Sequence, residues 1–290
     1  MQKTKQHYIQ KAYLKGFSPY YYNFSQKWEQ EEIYILFKNE KRIDKTTVDK
    51  IAYRKNYYSF FDKQYVLVTD VEDLFSSLEN QFIRFREQLR TVIENLNKTG
   101  EVNNLNEKYR TSICEYVKLN LIRIPKIMDW VYQETKKKHE DKMSIKLGIP
   151  FNEYHYKNLS IKTLLEFLMP KELDVSNVLF DKDISFEYFG RTKGSLVTSD
   201  NPVIRFNEYK KPGIIFPDTH IIFPIDRNKF IRFYKTDGTD KILKISNYDV
   251  INEINDFEYE NAVNEIYGPS REILEGIMKR GESRRTTAST

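Results

Sequence analysis

The chain has 290 residues, and its 47 lysines and arginines against 42 acidic residues give a formal net charge of +5. Hydrophobic residues make up 40% of the sequence and charged residues 31%, which excludes disorder of the whole chain and leaves enough apolar material for a sizeable core. One cysteine, Cys114, excludes disulfides within the chain, and no apolar run approaches the roughly 18 residues of a membrane-spanning helix. We therefore expect a cytoplasmic protein without a membrane partner.

The N-terminal region carries short predicted elements. Apolar residues at helical spacing predict a helix over 7–17, which Ser18 and Pro19 end. The run at 32–38 is rich in β-branched and aromatic residues and predicts a strand. A short helix is predicted over 46–52.

Two long helices are predicted to follow. Over 71–96, apolar residues recur every three or four positions, which is typical of an amphipathic helix. A second helix over 109–124 meets Pro125, which has no backbone N–H, so we expect a kink or a restart there. We expect the two helices to pack antiparallel, with four side chains in their interface: Phe82, Phe85, Tyr116 and Val117.

Near residue 172 the hydrophobic pattern changes from helical to alternating spacing. Short strands are predicted from 184 to 234, with one of them at 214–216, and helices at 247–263 and 270–279 close the fold.

The sequence thus predicts an α+β fold, with a helical centre of two long antiparallel helices, then a mostly antiparallel sheet and closing C-terminal helices. We expect one integrated domain over 1–280, mainly helical over 1–170 with a short strand region and containing the sheet and closing helices over 172–280. The polar tail over 281–290 is predicted to be disordered.

The sequence lacks the short motifs of several enzyme classes. It contains no Walker loop, no glycine-rich dinucleotide motif, no zinc-protease motif and no nucleophile elbow. Nucleotide-driven motors, zinc proteases of that class and α/β-hydrolases are therefore disfavoured.

Four polar residues in apolar surroundings remain as candidates for chemistry. His7 is suited to acid–base catalysis, Glu79 and Asp200 to metal binding, and Arg123 to binding phosphate. Each also has a structural alternative: a backbone hydrogen bond for His7, a solvated charged face for Glu79, a buried ion pair for Arg123, and turn capping for Asp200. We expect Arg123 to be largely buried and paired with a carboxylate, with Glu79 as the first choice.

These residues fall on an ordered set of motifs. The motifs are Gln6-His7-Tyr8 continuing to Tyr13-Leu14 and Phe17, then Glu79, Arg123-Ile124-Pro125, Ser199-Asp200-Asn201-Pro202, a Phe-Pro-Ile at 223–225 and an asparagine-rich helix at 252–264. In these motifs, from about residue 6 to residue 267, the chain resembles the bacterial family catalogued as domain of unknown function 4238. The family usually has proline where this chain has Gln10. The resemblance implies no settled activity, but it gives weight to the four polar residues as one site.

The leading hypothesis is a nuclease-like enzyme that acts on a phosphate-bearing substrate, with nucleic acid as the expected polymer. His7 would be the general acid or base, Glu79 and Asp200 would hold magnesium or manganese, and Arg123 would steady the phosphate charge. The kind of family resembled suggests bacterial anti-phage defence as the setting.

Three neighbouring motif residues, Tyr8, Tyr13 and Asn201, are expected to contact the substrate. The alternative hypothesis is a non-catalytic regulatory module that binds nucleic acid or a protein partner, with the four polar residues forming a buried structural network. An open cleft with four converging side chains would favour the enzyme, whereas a buried and fully paired network would favour the module.

Overall fold

The computed structural model describes these residues: 5–21, 31–61, 67–68, 70–99, 107–147, 153–168, 175–190, 194–206, 213–214, 216, 218–235 and 240–288. Helices and largely antiparallel sheets together make an α+β fold, as the sequence predicts. Within these ranges, no helix has both the length and the apolar character needed to cross a membrane.

The opening motif is only partly helical. Strand β1 (Lys5–His7) precedes the short helix α1 (Lys11–Leu14) and a 3₁₀ turn at Lys15–Phe17, so the helix predicted over 7–17 begins later than expected. The reason is that β1 pairs antiparallel with a later strand, β4 (Tyr53–Lys55), which commits its backbone to a ladder.

The hairpin of β2 (Glu32–Phe37) and β3 (Arg42–Thr47) confirms the predicted strand at 32–38. The helix predicted over 46–52 is wrong, because Thr46 and Thr47 still pair with β2 and only Val48–Lys50 forms a 3₁₀ turn. Two further short strands pair with each other: β5 (Phe60–Phe61) and β6 (Leu67–Val68).

The long helices α2 (Asp70–Thr99) and α3 (Glu107–Ile122) pack antiparallel as predicted. The ring of Phe82 stacks on that of Tyr116, with centroids 3.7 Å apart and planes 5° apart. Earlier on α2, Glu79 contacts Arg123, which follows α3, and these two contacts together fix the antiparallel direction.

The remaining side chains expected at that interface are also buried. Val117 is fully buried, while Phe85 extends past Phe82 to contact Phe186 of the sheet, at 5.7 Å between ring centroids. The helix restarts at Pro125, and three helices complete this part of the fold: α4 (Pro125–Leu147), α5 (Glu153–Leu168) and α6 (Val175–Phe180).

Among the described residues, a five-stranded sheet has the order β12-β7-β11-β10-β9 and is antiparallel except between β12 and β7. Its strands are β7 (Asp183–Phe189), β9 (Ile204–Phe206), β10 (His220–Asp226), β11 (Lys229–Tyr234) and β12 (Lys241–Ile245). The sequence pattern missed β12. The strand predicted at 214–216 is not found in its described residues, since Ile214 lies in a turn and Phe216 in a bend, and residue 215 lies outside the described residues.

A four-stranded sheet of order β3-β2-β13-β8 joins segments that are far apart in the chain. Strand β13 (Glu265–Gly268) lies between β2 and β8 (Thr198–Ser199), and it follows helix α7 (Asp249–Asn261). This sheet sets the motif that contains Asp200 beside the N-terminal strands.

The last helix, α8 (Arg271–Ala288), continues through most of the segment predicted as a disordered tail. Arg280 and Arg284 both form ion pairs with Asp256 of α7, at 2.8 and 2.6 Å. A Cβ atom built on Gly281 would lie 2.2 Å from a ring carbon of Tyr259, so α8 packs very closely on α7. These contacts order a segment whose sequence is polar.

The close approach of α8 to α7 predicts opposite effects for two glycine substitutions. Gly281→Ala forces its methyl group into the ring of Tyr259, so we expect a loss of about 1–3 kcal/mol in the free energy of unfolding. Gly276→Ala is the matched control on α8, since its Cβ would meet only the end of Arg280 at 3.6 Å. It should stabilise the helix by about 0.5–1 kcal/mol. Urea denaturation of both variants measures the difference, and equal stabilities would contradict this packing.

Candidate functional site

Arg123 holds the opening motif in place from the junction between α3 and Pro125. Its side chain is 2% exposed. The Nε atom donates to the carbonyl oxygen of Tyr8 at 2.8 Å, and Nη2 donates to that of His7 at 2.5 Å. The Nη1 atom forms an ion pair with Glu79 of α2. The prediction of a buried arginine paired with Glu79 is therefore confirmed, and all three guanidinium nitrogens are bonded within the protein.

Aromatic rings enclose this cation. The guanidinium carbon lies 5.5 Å from the ring centroid of Phe75 and 6.0 Å from that of Tyr58, whose hydroxyl donates to the carbonyl of Arg123 at 2.9 Å. Burial alone would lower the pKa of Arg123, but the neighbouring Glu79 carboxylate raises it above its usual range. The side chain is thus a permanent cation that is removed from solvent and has each of its three nitrogens bonded within the protein.

The glutamines of the opening motif bind other parts of the protein. Gln6 is fully buried, accepts from the backbone N–H of Tyr58 at 2.6 Å and donates to Ser59 at 2.8 Å. Gln10 accepts a hydrogen bond from the hydroxyl of Tyr116 at 2.9 Å. The glutamine that replaces the usual proline therefore connects the motif to α3.

Tyr13 was expected to contact substrate, and its environment does not allow this. It is fully buried, its ring stacks on Phe223, and its hydroxyl donates to the carbonyl of Pro224 at 2.7 Å and is bonded to Thr198 at 2.9 Å. Burial raises the pKa of Tyr13 well above its usual value. The side chain joins α1 to both sheets.

Asp200 caps the loop between α7 and β13. Its Oδ1 accepts from the backbone N–H of Val263 at 2.8 Å, and its Oδ2 accepts from those of Asn264 at 2.9 Å and Glu265 at 3.1 Å. Burial raises the pKa of Asp200, while the three backbone hydrogen bonds act against that shift. This geometry matches the turn-capping alternative.

Asn201 continues the cap. Its Nδ2 donates to the carbonyl of Asn261 at 2.9 Å, and the side chain of Asn261 donates back to the carbonyl of Asn201 at 2.5 Å. Asn201 is buried, so the reciprocal pair ties the Ser-Asp-Asn-Pro motif to the end of α7.

Tyr8 connects the hydrogen bonds made by Arg123 with those made by Asp200. Its hydroxyl donates to Oε2 of Glu265 at 2.8 Å, and the hydroxyl of Tyr267 donates to the same oxygen. Since Arg123 binds the carbonyl of Tyr8 and Asp200 binds the N–H of Glu265, the motifs do meet in one region. They meet mainly through backbone groups and shared neighbours, and Glu265 was not identified from the sequence.

Glu258 of α7 is a second residue that sequence reasoning missed. Its side chain is fully buried beside the hydroxyl and N–H of Ser199. Burial raises the pKa of Glu258 to about 8, and the nearby Asp200 carboxylate adds to the shift. The glutamate occurs in a helix that is rich in charged residues, so only the burial of this position distinguishes it.

His7 lies at the edge of the network. Its ring is half-buried, 5.6 Å from that of Tyr53 between centroids, and its Nε2 has no hydrogen-bond partner among the described residues. Burial, together with the nearby charges of Lys11, Arg123 and Lys5, lowers the pKa of His7 to about 4. The imidazole is therefore neutral at pH 7.

An open cleft of about 500 Å³ adjoins Tyr8. Its lining includes Arg54 of β4, Lys126 and Asp129 of α4, the end of α7 and residues 262–265. Arg54 and Asp129 form an ion pair at 2.9 Å, with side chains 45% and 60% exposed. Of the four predicted catalytic residues, Asp200 lines this cleft, with both carboxylate oxygens bonded to backbone amides.

The metal hypothesis requires Glu79 and Asp200 to share an ion. Glu79 is paired with Arg123, whereas Asp200 is bonded to the amides of 263–265. Across the ranges that the structure describes, no group of three or more His, Cys, Asp or Glu side chains is arranged to hold a metal ion. A divalent cation at these two residues stays a prediction.

The family model described as a protein of unknown function, DUF4238, matches residues 5–272. The chain belongs to this family. The match covers the opening motif, Glu79, Arg123, Asp200 and strand β13. The motifs named from the sequence therefore supply the residues that Arg123 and Asp200 bring together. No curated protein and no solved structure matches the chain.

The buried guanidinium of this family member predicts a large effect for Arg123→Met. The substitution leaves the Glu79 carboxylate and the carbonyls of His7 and Tyr8 without donors, so we expect a loss of about 3–5 kcal/mol in unfolding free energy by urea denaturation. Arg54→Met is the control, because its ion pair is exposed and should contribute about 0–1 kcal/mol. A variant at 123 that is as stable as the one at 54 would contradict the network.

The buried carboxyl of Glu258 predicts a pH dependence. Its pKa is about 8 in the folded protein against a reference value of 4.5, so the folded state binds more protons and stability falls as pH rises between those values. Each pKa unit is worth about 1.4 kcal/mol. Glu258→Gln stays neutral, so its stability relative to the wild type should rise from pH 5 to pH 8 in urea titrations at each pH. A constant difference would show that Glu258 does not titrate in this range.

Proposed function

We propose that the protein is a nucleic-acid-binding module in which the family's polar residues form a buried structural network. The observation that carries this proposal is the outer face of the ribbon formed by β1 and β4. Lys5 is opposite Lys55 and His7 is opposite Tyr53, and residues opposite each other in an antiparallel pair share a face. Both lysines are exposed and both rings are half-exposed.

Cations and rings are interleaved on this face. The Nζ atom of Lys5 lies 4.6 Å from the ring centroid of Tyr53, which in turn lies 5.6 Å from that of His7. Single-stranded nucleic acids bind such surfaces through bases stacked on aromatic rings and phosphates near lysine and arginine. The ribbon therefore has the two chemical features that such a polymer needs.

The electrostatic environment supports an anionic ligand. Burial is the main cause of the lowered pKa of His7, but Lys11, Arg123 and Lys5 add to it, and the carboxylate of Asp49 acts in the opposite direction. A local excess of positive charge attracts phosphate groups and speeds their association.

Two further cations, Arg54 and Lys126, line the cleft. Arg54 is paired with Asp129, but exposed ion pairs contribute only about 0–1 kcal/mol, so a phosphate can replace the carboxylate at small cost. Tyr53 belongs to the ribbon face and also lines the cleft, so the two adjoin at this residue.

The bonding of Arg123 and Asp200 favours a module over a nuclease. A catalytic cation or metal ligand needs atoms that can contact substrate or metal, whereas Arg123 and Asp200 direct theirs to backbone groups and Glu79. Glu79, Arg123 and Asp200 instead hold together the segments that present the ribbon. To these His7 adds its backbone carbonyl as an acceptor for Arg123.

Charge reversal on the ribbon should weaken binding. We expect the wild type to bind labelled single-stranded RNA or DNA in fluorescence anisotropy, and the double variant Lys5→Glu/Lys55→Glu to lose affinity by on the order of tenfold or more with a shallower salt dependence. Tyr53→Ala should lower affinity on the order of tenfold without changing the salt slope, since stacking carries no net charge.

Lys244→Glu/Lys279→Glu is the matched control. Both lysines are exposed, lie on β12 and α8, and give the same change in net charge. Equal losses in the two double variants would show that binding follows net charge alone, and a wild type that binds none of these polymers would overturn the proposal.

Cleavage is tested on the same protein stock. We expect labelled DNA and RNA to remain intact with magnesium or manganese, because Arg123 and Asp200 are already bonded within the protein. Metal-dependent cleavage that His7→Ala abolishes without lowering the melting temperature would replace this proposal with the nuclease hypothesis.

A further inference from the structure

Helix α4 joins the cleft to a second cavity. Lys126 and Asp129 line the cleft, while the next residue, Trp130, lines a groove of about 540 Å³ between α4 and α5. The indole of Trp130 is 56% exposed, which is unusual for so large an apolar side chain. The binding surface proposed above therefore leads directly to an exposed aromatic ring.

The groove beyond Trp130 has the same two chemical features as the ribbon. Lys137 and Lys138 follow Trp130 by seven and eight positions, which places them on the same side of α4. Glu134 is the one carboxylate among the described residues that line the groove, so cations exceed anions there. Leu159 of α5 adds an apolar side chain to the lining.

We infer that this groove binds an unpaired base against Trp130, with the adjoining phosphates near Lys137 and Lys138. This inference rests on the proposed function and specifies its ligand as a single strand that runs from the ribbon across Lys126. A base in a duplex cannot lie flat on an indole, because its faces are already stacked on neighbouring bases. The positive charge at the groove is what favours a nucleic acid over an apolar helix of a protein partner.

The span of α4 between the cleft and the far end of the groove bears on how long a bound strand must be. Residues 126 and 138 are twelve positions apart, or about 18 Å along the helix axis at 1.5 Å per residue. Site sizes in known single-strand-binding folds run from about four to about sixteen nucleotides, so we expect the longer of these strands to reach from the ribbon to the groove. Affinity should therefore rise with length in a way that depends on Trp130.

The experiment compares full-length variants by anisotropy with labelled single strands of about four and about sixteen nucleotides and with a duplex of the longer sequence. We expect Trp130→Ala to lower affinity for the long strand on the order of tenfold, to leave the duplex unchanged, and to reduce the quenching of tryptophan fluorescence on binding. Trp130→Phe should restore part of the affinity. Tyr248→Ala is the control, since that ring is also exposed but lies elsewhere.

Three other outcomes would overturn this inference, and they can be told apart. If the ribbon variant Lys5→Glu/Lys55→Glu loses binding but Trp130→Ala and Lys137→Glu/Lys138→Glu do not, the groove is not part of the site and the proposed function stands. If no strand binds the wild type, both proposals fail. If light scattering shows that Trp130→Ala converts a dimer to a monomer, a second copy of the chain covers the groove instead.

Discussion

The fold around the family motifs depends on one buried cation. Arg123 is removed from water, and a buried guanidinium is tolerated only when its donors are bonded and its charge is balanced. Glu79 balances the charge through Nη1, and the carbonyls of Tyr8 and His7 accept hydrogen bonds from the other two nitrogens. This requirement fixes the end of β1 against the junction of α3 and α4, and so determines where the β1–β4 ribbon lies.

The same chemistry explains why a structural network can resemble an active site in sequence. A histidine, two acids and an arginine on separate elements are typical of a catalytic site, but buried polar groups also need partners from distant segments. In this chain most of those partners are backbone groups, as with Asp200 and the amides of 263–265. By contrast, several lysines are exposed and available to a ligand: Lys5 and Lys55 of the ribbon and Lys126, Lys137 and Lys138 of α4.

The sequence predicted correctly those features that follow from the spacing and polarity of residues within a helix. The periodicity of α2 and α3 and the pairing of Arg123 with Glu79 followed from apolar spacing and from the cost of burying a charge. Strands β12 and β13 did not, because each is short and is stabilised by pairing with a remote strand. The role of Asp200 depends on a loop more than sixty positions later, and the helix at 281–288 depends on contacts with Asp256 and Tyr259. The sequence around each of these segments therefore does not predict its structure.

The placement of β13 has a consequence for how the protein is made. β13 pairs with β2, whose residues precede it by more than 200 positions, and β2 meets only β3 on its other side. During synthesis the β2–β3 hairpin therefore presents an unpaired edge, with Ile33 and Ile35 nearby, until β13 has emerged. Such non-local pairing slows folding and exposes an adhesive strand to other chains. Nascent chains of this family member should therefore depend on chaperones more than an all-helical protein of the same length.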